Sequence, residues 1–90
     1  MVKVTNKAKE GLRELLLLCT EDPETSLRLS RGSLGQFGFV LGREEDGDEV
    51  VRCNGLKVLL VLSEFVSLLD GAIIDVENDG SKRVFVMTKK

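Results

Sequence analysis

The chain has 90 residues, 42% of them hydrophobic, with 13 basic and 15 acidic side chains for a formal net charge of −2. That length predicts one domain, 1–90, with enough core to fold without staples, and the balanced charge leaves no basic footprint for nucleic acid. No histidine, tryptophan or tyrosine occurs, and two cysteines stand outside any CxxC, which removes Ser-His-Asp and Cys-His chemistry and the usual zinc ligand.

The first element predicted is a helix from Asn6 to about Cys19, capped by Thr5. Ala8, Leu12, Leu15, Leu16 and Cys19 share one stripe at about 100° per residue. Cys19 is therefore read as a core thiol, with a ligand or reactive group as the alternative. Leu17 points away from the stripe, as a scattered surface leucine or the rim of a partner contact. Pro23 ends the helix. The period then becomes alternating: Leu27 and Leu29 share one face, as do Phe37, Phe39 and Leu41.

Residues 43–49, REEDGDE, form a polar turn. Asn54-Gly55 is a strong hairpin signal because both turn residues must accept positive φ. A two-residue turn there pairs Cys53 with Leu56 and Val51 with Val58, and puts Val51, Cys53, Leu56, Val58 and Leu60 on one apolar face. Leu59 is then left outward. Cys53 is buried filling in this reading, with a ligand role as the alternative. Ser63 caps a short helix carrying Phe65, Leu68 and Leu69, stopped by Asp70-Gly71. A last hairpin turning at Asp79-Gly80 places Ile74 beside Phe85 and Glu77 beside Lys82. The sum is an α+β domain dominated by antiparallel sheet.

The densest glycine stretch is SRGSLGQFGF, residues 30–39, with Gly32, Gly35 and Gly38. A P-loop needs a lysine after its last glycine, and Phe39 follows Gly38; the spacing GxxGxxG also fails the dinucleotide fingerprint. On residues alone the stretch is a flexible crossover between two strands.

The order of these pieces resembles the A-type iron–sulfur carriers, the HesB-like fold, over the whole chain. VTNKAKEGLRELL is similar to that family's opening strand and helix, LRLSRG to the strand entering its cluster loop, and FGFVL to the strand leaving it. GDEVVRCNGLKVLL and SLLDGAIIDV resemble its later hairpin and its Leu-Asp-Gly turn into an Ile-Asp strand. The resemblance implies an α+β fold with the N-terminal helix on a mainly antiparallel, sandwich-like sheet, and a homo-oligomer. The family's ligands are a cysteine in the glycine loop and two in a C-terminal Cys-Gly-Cys. The loop cysteine falls at Leu34 or within one residue of it, the chain ends at VMTKK, and Cys19 and Cys53 match none of the three. Clusters take four thiolates as a rule, and leucine donates no electron pair. The loop Gly32, Leu34, Gly35, Gly38 is thus read as a degenerate ligand site.

Five carboxylates in 44–49 lack the order of an EF-hand loop, and a solvated hairpin loop is the better reading. Asp70 belongs to a turn and Asp75 to the outer face of a strand; Arg28 and Arg31 are ordinary exposed arginines flanking the glycine loop. No catalytic constellation emerges, and the expectation is not an enzyme. A cysteine nucleophile would need a lowered pKa, and Cys19 sits at a helix C-terminus, where the dipole acts against it. The function expected is an accessory role in iron–sulfur assembly: the protein binds a protein partner, takes no cofactor, and contacts neither nucleic acid nor membrane. The alternative is an atypical iron or cluster binder using Cys53 and carboxylates across a dimer. The longest apolar runs, at 15–18 and 58–62, are too short to span a bilayer, and the opening residues lack a secretory signal's apolar core. A cytoplasmic protein is expected.

Overall fold

A computed structural model describes residues 2–80 and 82–89. Its elements are β1 (Lys3–Val4), α1 (Asn6–Cys19), β2 (Thr25–Arg31), β3 (Phe37–Arg43), β4 (Glu49–Cys53), β5 (Leu56–Val61), α2 (Ser63–Leu68), β6 (Ala72–Asp79) and β7 (Lys82–Lys89). They form two sheets, a three-stranded one ordered β1-β6-β7 and a four-stranded one ordered β3-β2-β5-β4. The fold is α+β, as expected. Three of the strand pairings are antiparallel, but β1 with β6 and β2 with β5 are parallel. Both parallel pairs join strands far apart in sequence, which local turn signals do not announce.

Helix α1 begins where its cap demands. Thr5 is extended, and its Oγ1 accepts the Ala8 N–H at 3.1 Å, meeting one of the unpaired donors of the first turn. The same hydroxyl donates to Asp75 Oδ1 at 2.7 Å, so one side chain ties the helix start to β6. Ala8, Gly11, Leu12 and Leu16 are buried. The expected stripe fails in its last turn. Cys19 is exposed rather than a core thiol, and Leu17 and Leu18 are 55% and 86% exposed. Periodicity aims a side chain, but the last turn of α1 leaves Cys19 outside the core.

The Asn54-Gly55 turn is present, with φ of 52° and 84°. Cys53 pairs with Leu56 as predicted, but Val51 pairs with Leu59, because the register shifts between Val51 and Arg52. The irregularity lets consecutive residues Val58 and Leu59 both enter the main core. Leu59 is therefore fully buried, not outward, and Leu60, also fully buried, lies outside that cluster. Leu56 is half-buried, and Leu41, expected inward, is 46% exposed on an outer strand.

In the last hairpin Val76 pairs with Phe85, Ile74 with Met87 and Glu77 with Val84, and Asp79 with Lys82. The turn thus lies one residue later than Asp79-Gly80; Ser81 is outside the described residues. A turn moved by one residue slides the register by two, which keeps every side chain on its face and makes the two pairings indistinguishable by alternation. Helix α2 is capped at Leu62 with no side-chain bond, so Ser63 is its first residue and not its cap. Gly71 follows with φ +83°. Of the three apolar residues assigned to that helix, Leu69 is buried and Phe65 packs against the core, while Leu68 is 44% exposed. Among the described residues no helix is long and apolar enough to cross a membrane.

Candidate functional site

The glycine stretch is a tight hairpin loop between neighbouring antiparallel strands, not a crossover. Gly32 N–H donates to Gln36 O at 2.7 Å, and Gly35 N–H to Gly32 O at 3.0 Å. Gly35 has φ +85°, a conformation that side chains resist. At Gly32 an added Cβ would lie 2.5 Å from Gln36 Nε2, so the absence of a side chain lets Gln36 fold across the loop. Gly38 differs: nothing stands within 4 Å of a Cβ there. Two of the three glycines therefore serve the turn.

Leu34 sits at the tip, 91% exposed. Beneath the loop the aromatic strand locks the two sheets together. Phe39 meets Phe85 edge-on at 5.2 Å, Phe37 meets Phe65 at 5.8 Å, and Arg31 lies 5.9 Å from the Phe37 ring centre. Leu29, Phe37, Phe39, Phe85 and Met87 line an apolar cleft of about 230 Å³. The alternation of Phe37 and Phe39 signalled this inward face.

The donor groups do not suit a thiolate-held cluster at this loop. Its side chains are Ser33, Leu34 and Gln36, none a thiol or carboxylate. Cys53 is 8% exposed and lies beside Asn6, Lys9 and Glu10, at the start of α1. Cys19 closes that helix. At 1.5 Å per residue the two thiols are separated by roughly 14–20 Å along the helix axis, beyond joint ligation within one chain. Among the described residues no group of three or more cysteine, aspartate or glutamate side chains is placed to hold a metal ion.

The carboxylate run is only partly a solvated loop. Asp48 turns inward, its side chain fully covered, and takes a two-point bond from Arg28: Nη1 to Oδ2 at 2.6 Å and Nη2 to Oδ1 at 3.2 Å. Asp48 Oδ2 also accepts the Glu45 N–H at 2.8 Å, and Glu45 Oε2 lies 3.2 Å from Arg28 Nη2. Arg28 Nη1 donates further to the Arg43 carbonyl at 2.9 Å. The Arg28 guanidinium holds the Asp48 carboxyl below its ordinary pKa, and the pair raises that of Arg28. Arg28 is thus a largely covered structural residue rather than an exposed arginine; Arg31 remains exposed. Gly42 makes the path possible, since a Cβ there would strike Arg28 Cδ. The sequence reading missed this pairing, because Arg28 and Asp48 are twenty residues apart and only the sheet brings them together.

Asp75 lies half-buried on β6, where the Thr5 hydroxyl and then the Val76 N–H lower its pKa. Asp70 lies in the turn that follows α2, its N–H directed at the Ser67 carbonyl at 3.4 Å.

No family model matches the chain, and no curated protein matches it. Solved structures do. Escherichia coli SufA, described as involved in biosynthesis of iron–sulfur clusters, is 22% identical with a TM-score of 0.64, over 98% of this chain and 79% of that one. A crystal structure of IscA with the [2Fe-2S] cluster is 18% identical with a TM-score of 0.65, over 99% of this chain and 85% of that one. At such identities the likeness speaks to architecture, and it reaches nearly end to end: this chain has the SufA and IscA fold.

Proposed function

We propose that this protein is a non-catalytic accessory of iron–sulfur cluster assembly, one that binds a protein partner and does not itself carry a cluster. The observation that supports this reading is the tip of the glycine hairpin. The loop keeps its tight hydrogen-bonded form on a fold like that of SufA and IscA, yet presents Leu34, a side chain without a lone pair, 91% exposed. An exposed leucine on a loop fixed by its own backbone is a suitable contact for another protein. The fold likeness also supports a homo-oligomer, which sedimentation would register.

Protein purified without oxygen should be colourless, with substoichiometric iron and labile sulfide, and unchanged in this by Cys53→Ser. A brown preparation with stoichiometric iron and sulfide would overturn the reading. Native pull-down should recover assembly proteins, and Leu34→Asp should lose them; recovery of unrelated proteins alone would break the pathway assignment.

A further inference from the structure

Strands β1 and β4 are outer strands of different sheets. Between them runs a cleft of about 390 Å³ lined by residues 2–4, residues 49–52 and Lys9. Successive side chains of a strand point to opposite faces, so a cleft bordered by an unbroken run of residues meets the strand's edge, where its unpaired N–H and C=O groups lie. A second cleft, about 370 Å³, continues from Arg52 through Asn54 along Asn6, Lys9 and Glu10. Together they form a groove following the free edge of β4 from Glu49 to its turn, about 17 Å at 3.4 Å per residue.

The groove's chemistry specifies an occupant. Val2 and Val51, 5% and 8% exposed, give it an apolar floor. Lys3, Lys9 and Arg52 provide three cations on three different elements, and none has an ion pair among the described residues. Glu49 stands against them in the first cleft and Glu10 in the second. Three cations against two carboxylates leave the groove one positive charge in excess, in a chain of net charge −2. The opposite free edges, β3 and β7, border the cleft of Phe37, Phe39 and Phe85, which no charged side chain lines among the described residues.

We propose that this groove accepts an extended acidic segment of a partner protein as an added strand between β1 and β4. Main-chain hydrogen bonds to the strand edges hold it, its apolar side chains face Val2 and Val51, and its carboxylates meet Lys3, Lys9 and Arg52. The inference deepens the partner-binding reading and rests on it only for there being a protein partner. Loss of the iron–sulfur connection would leave it standing, and its failure would leave that connection to another surface.

The test uses the full chain and a fluorescein-labelled octapeptide alternating valine and glutamate. Anisotropy should show saturable binding, weaker by about tenfold or more for Arg52→Glu and Lys3→Glu, both exposed and expected to fold. The valine–lysine octapeptide, the valine–glutamate octapeptide with N-methylated backbone and an oligothymidylate of equal charge should bind at least as poorly as those variants bind the parent peptide. Amide shifts in NMR spectra should cluster on residues 2–4 and 49–54. Absence of saturable binding, equal binding of the lysine or N-methylated peptide, stronger binding of the oligonucleotide, or shifts confined to β3 would each overturn the proposal.

Discussion

The two loops at the ends of β3 differ in how far their side chains are committed to the fold. At its start, residues 32–36 close on their own backbone, through two main-chain hydrogen bonds and the positive φ of Gly35. At its end, residues 44–48 have one main-chain bond, Asp48 N–H to Glu45 O at 3.1 Å, and the positive φ of Gly47, and add side-chain bonds to these: Asp48 and Glu45 clasp Arg28, and Glu44 meets Lys57 at 3.5 Å. A loop secured by backbone leaves its side chains free for other molecules, as at Leu34. A loop secured by side chains commits its charges to the fold, and a dense run of carboxylates there is no sign of a ligand.

The contrast can be broken experimentally, and Asp48→Ala should do most damage. It leaves Arg28 largely covered with only the exposed Glu45 as a counter-charge, and should cost about 2–3 kcal/mol in urea unfolding, below the range for a deeply buried pair because Asp48 lies close to the surface. A loss below about 0.5 kcal/mol would make the acidic loop as dispensable as its composition suggests. The same carboxylate leaves a pH signature. Its folded pKa lies below the ordinary value of 3.8, so its stabilisation is present above that value and is lost as pH falls through the folded one. Asp22 and Asp75 are shifted the same way, Asp22 chiefly by the Glu24 N–H and Asp75 chiefly by Thr5. Acid titration of stability should therefore decline below about pH 4 in the parent and less steeply in Asp48→Asn.

Gly42→Ala should cost about 1–2 kcal/mol by displacing Arg28 from its path. Combined with Asp48→Ala it should fall short of the sum, since both changes disable one network; full additivity would separate Gly42 from the pair. At the other loop Gly35→Ala should cost about 1 kcal/mol through its positive φ. Smallest of all, Leu34→Ser should change stability by no more than about 0.5 kcal/mol while abolishing the partner contact proposed for it. A large destabilisation there would turn Leu34 into a structural residue.

How far the site was legible differs by feature. The glycine loop announced itself, and Gly32 and Gly35 have local reasons that any hairpin would share. The groove between β1 and β4 gave no signal, because Lys3, Lys9 and Arg52 are spread over half the chain and converge only when two sheet edges meet. Arg28 and Asp48 are the same case: each reads as solvated until strand pairing places one over the other.

Sequence alone determined what is settled within a few residues: the Thr5 cap and the span of α1, the Asn54-Gly55 turn, the inward faces of β2, and an α+β architecture. These follow from backbone sterics and the periods of 3.6 and 2, which act locally. Tertiary structure decided the rest: the register shift that buries Leu59, the two-residue slide of the last hairpin, the parallel pairings, and the exposure of Cys19 on a final turn outside the core. Each depends on what lies across a gap in sequence, where alternating patterns are satisfied equally by several partners and only packing selects one.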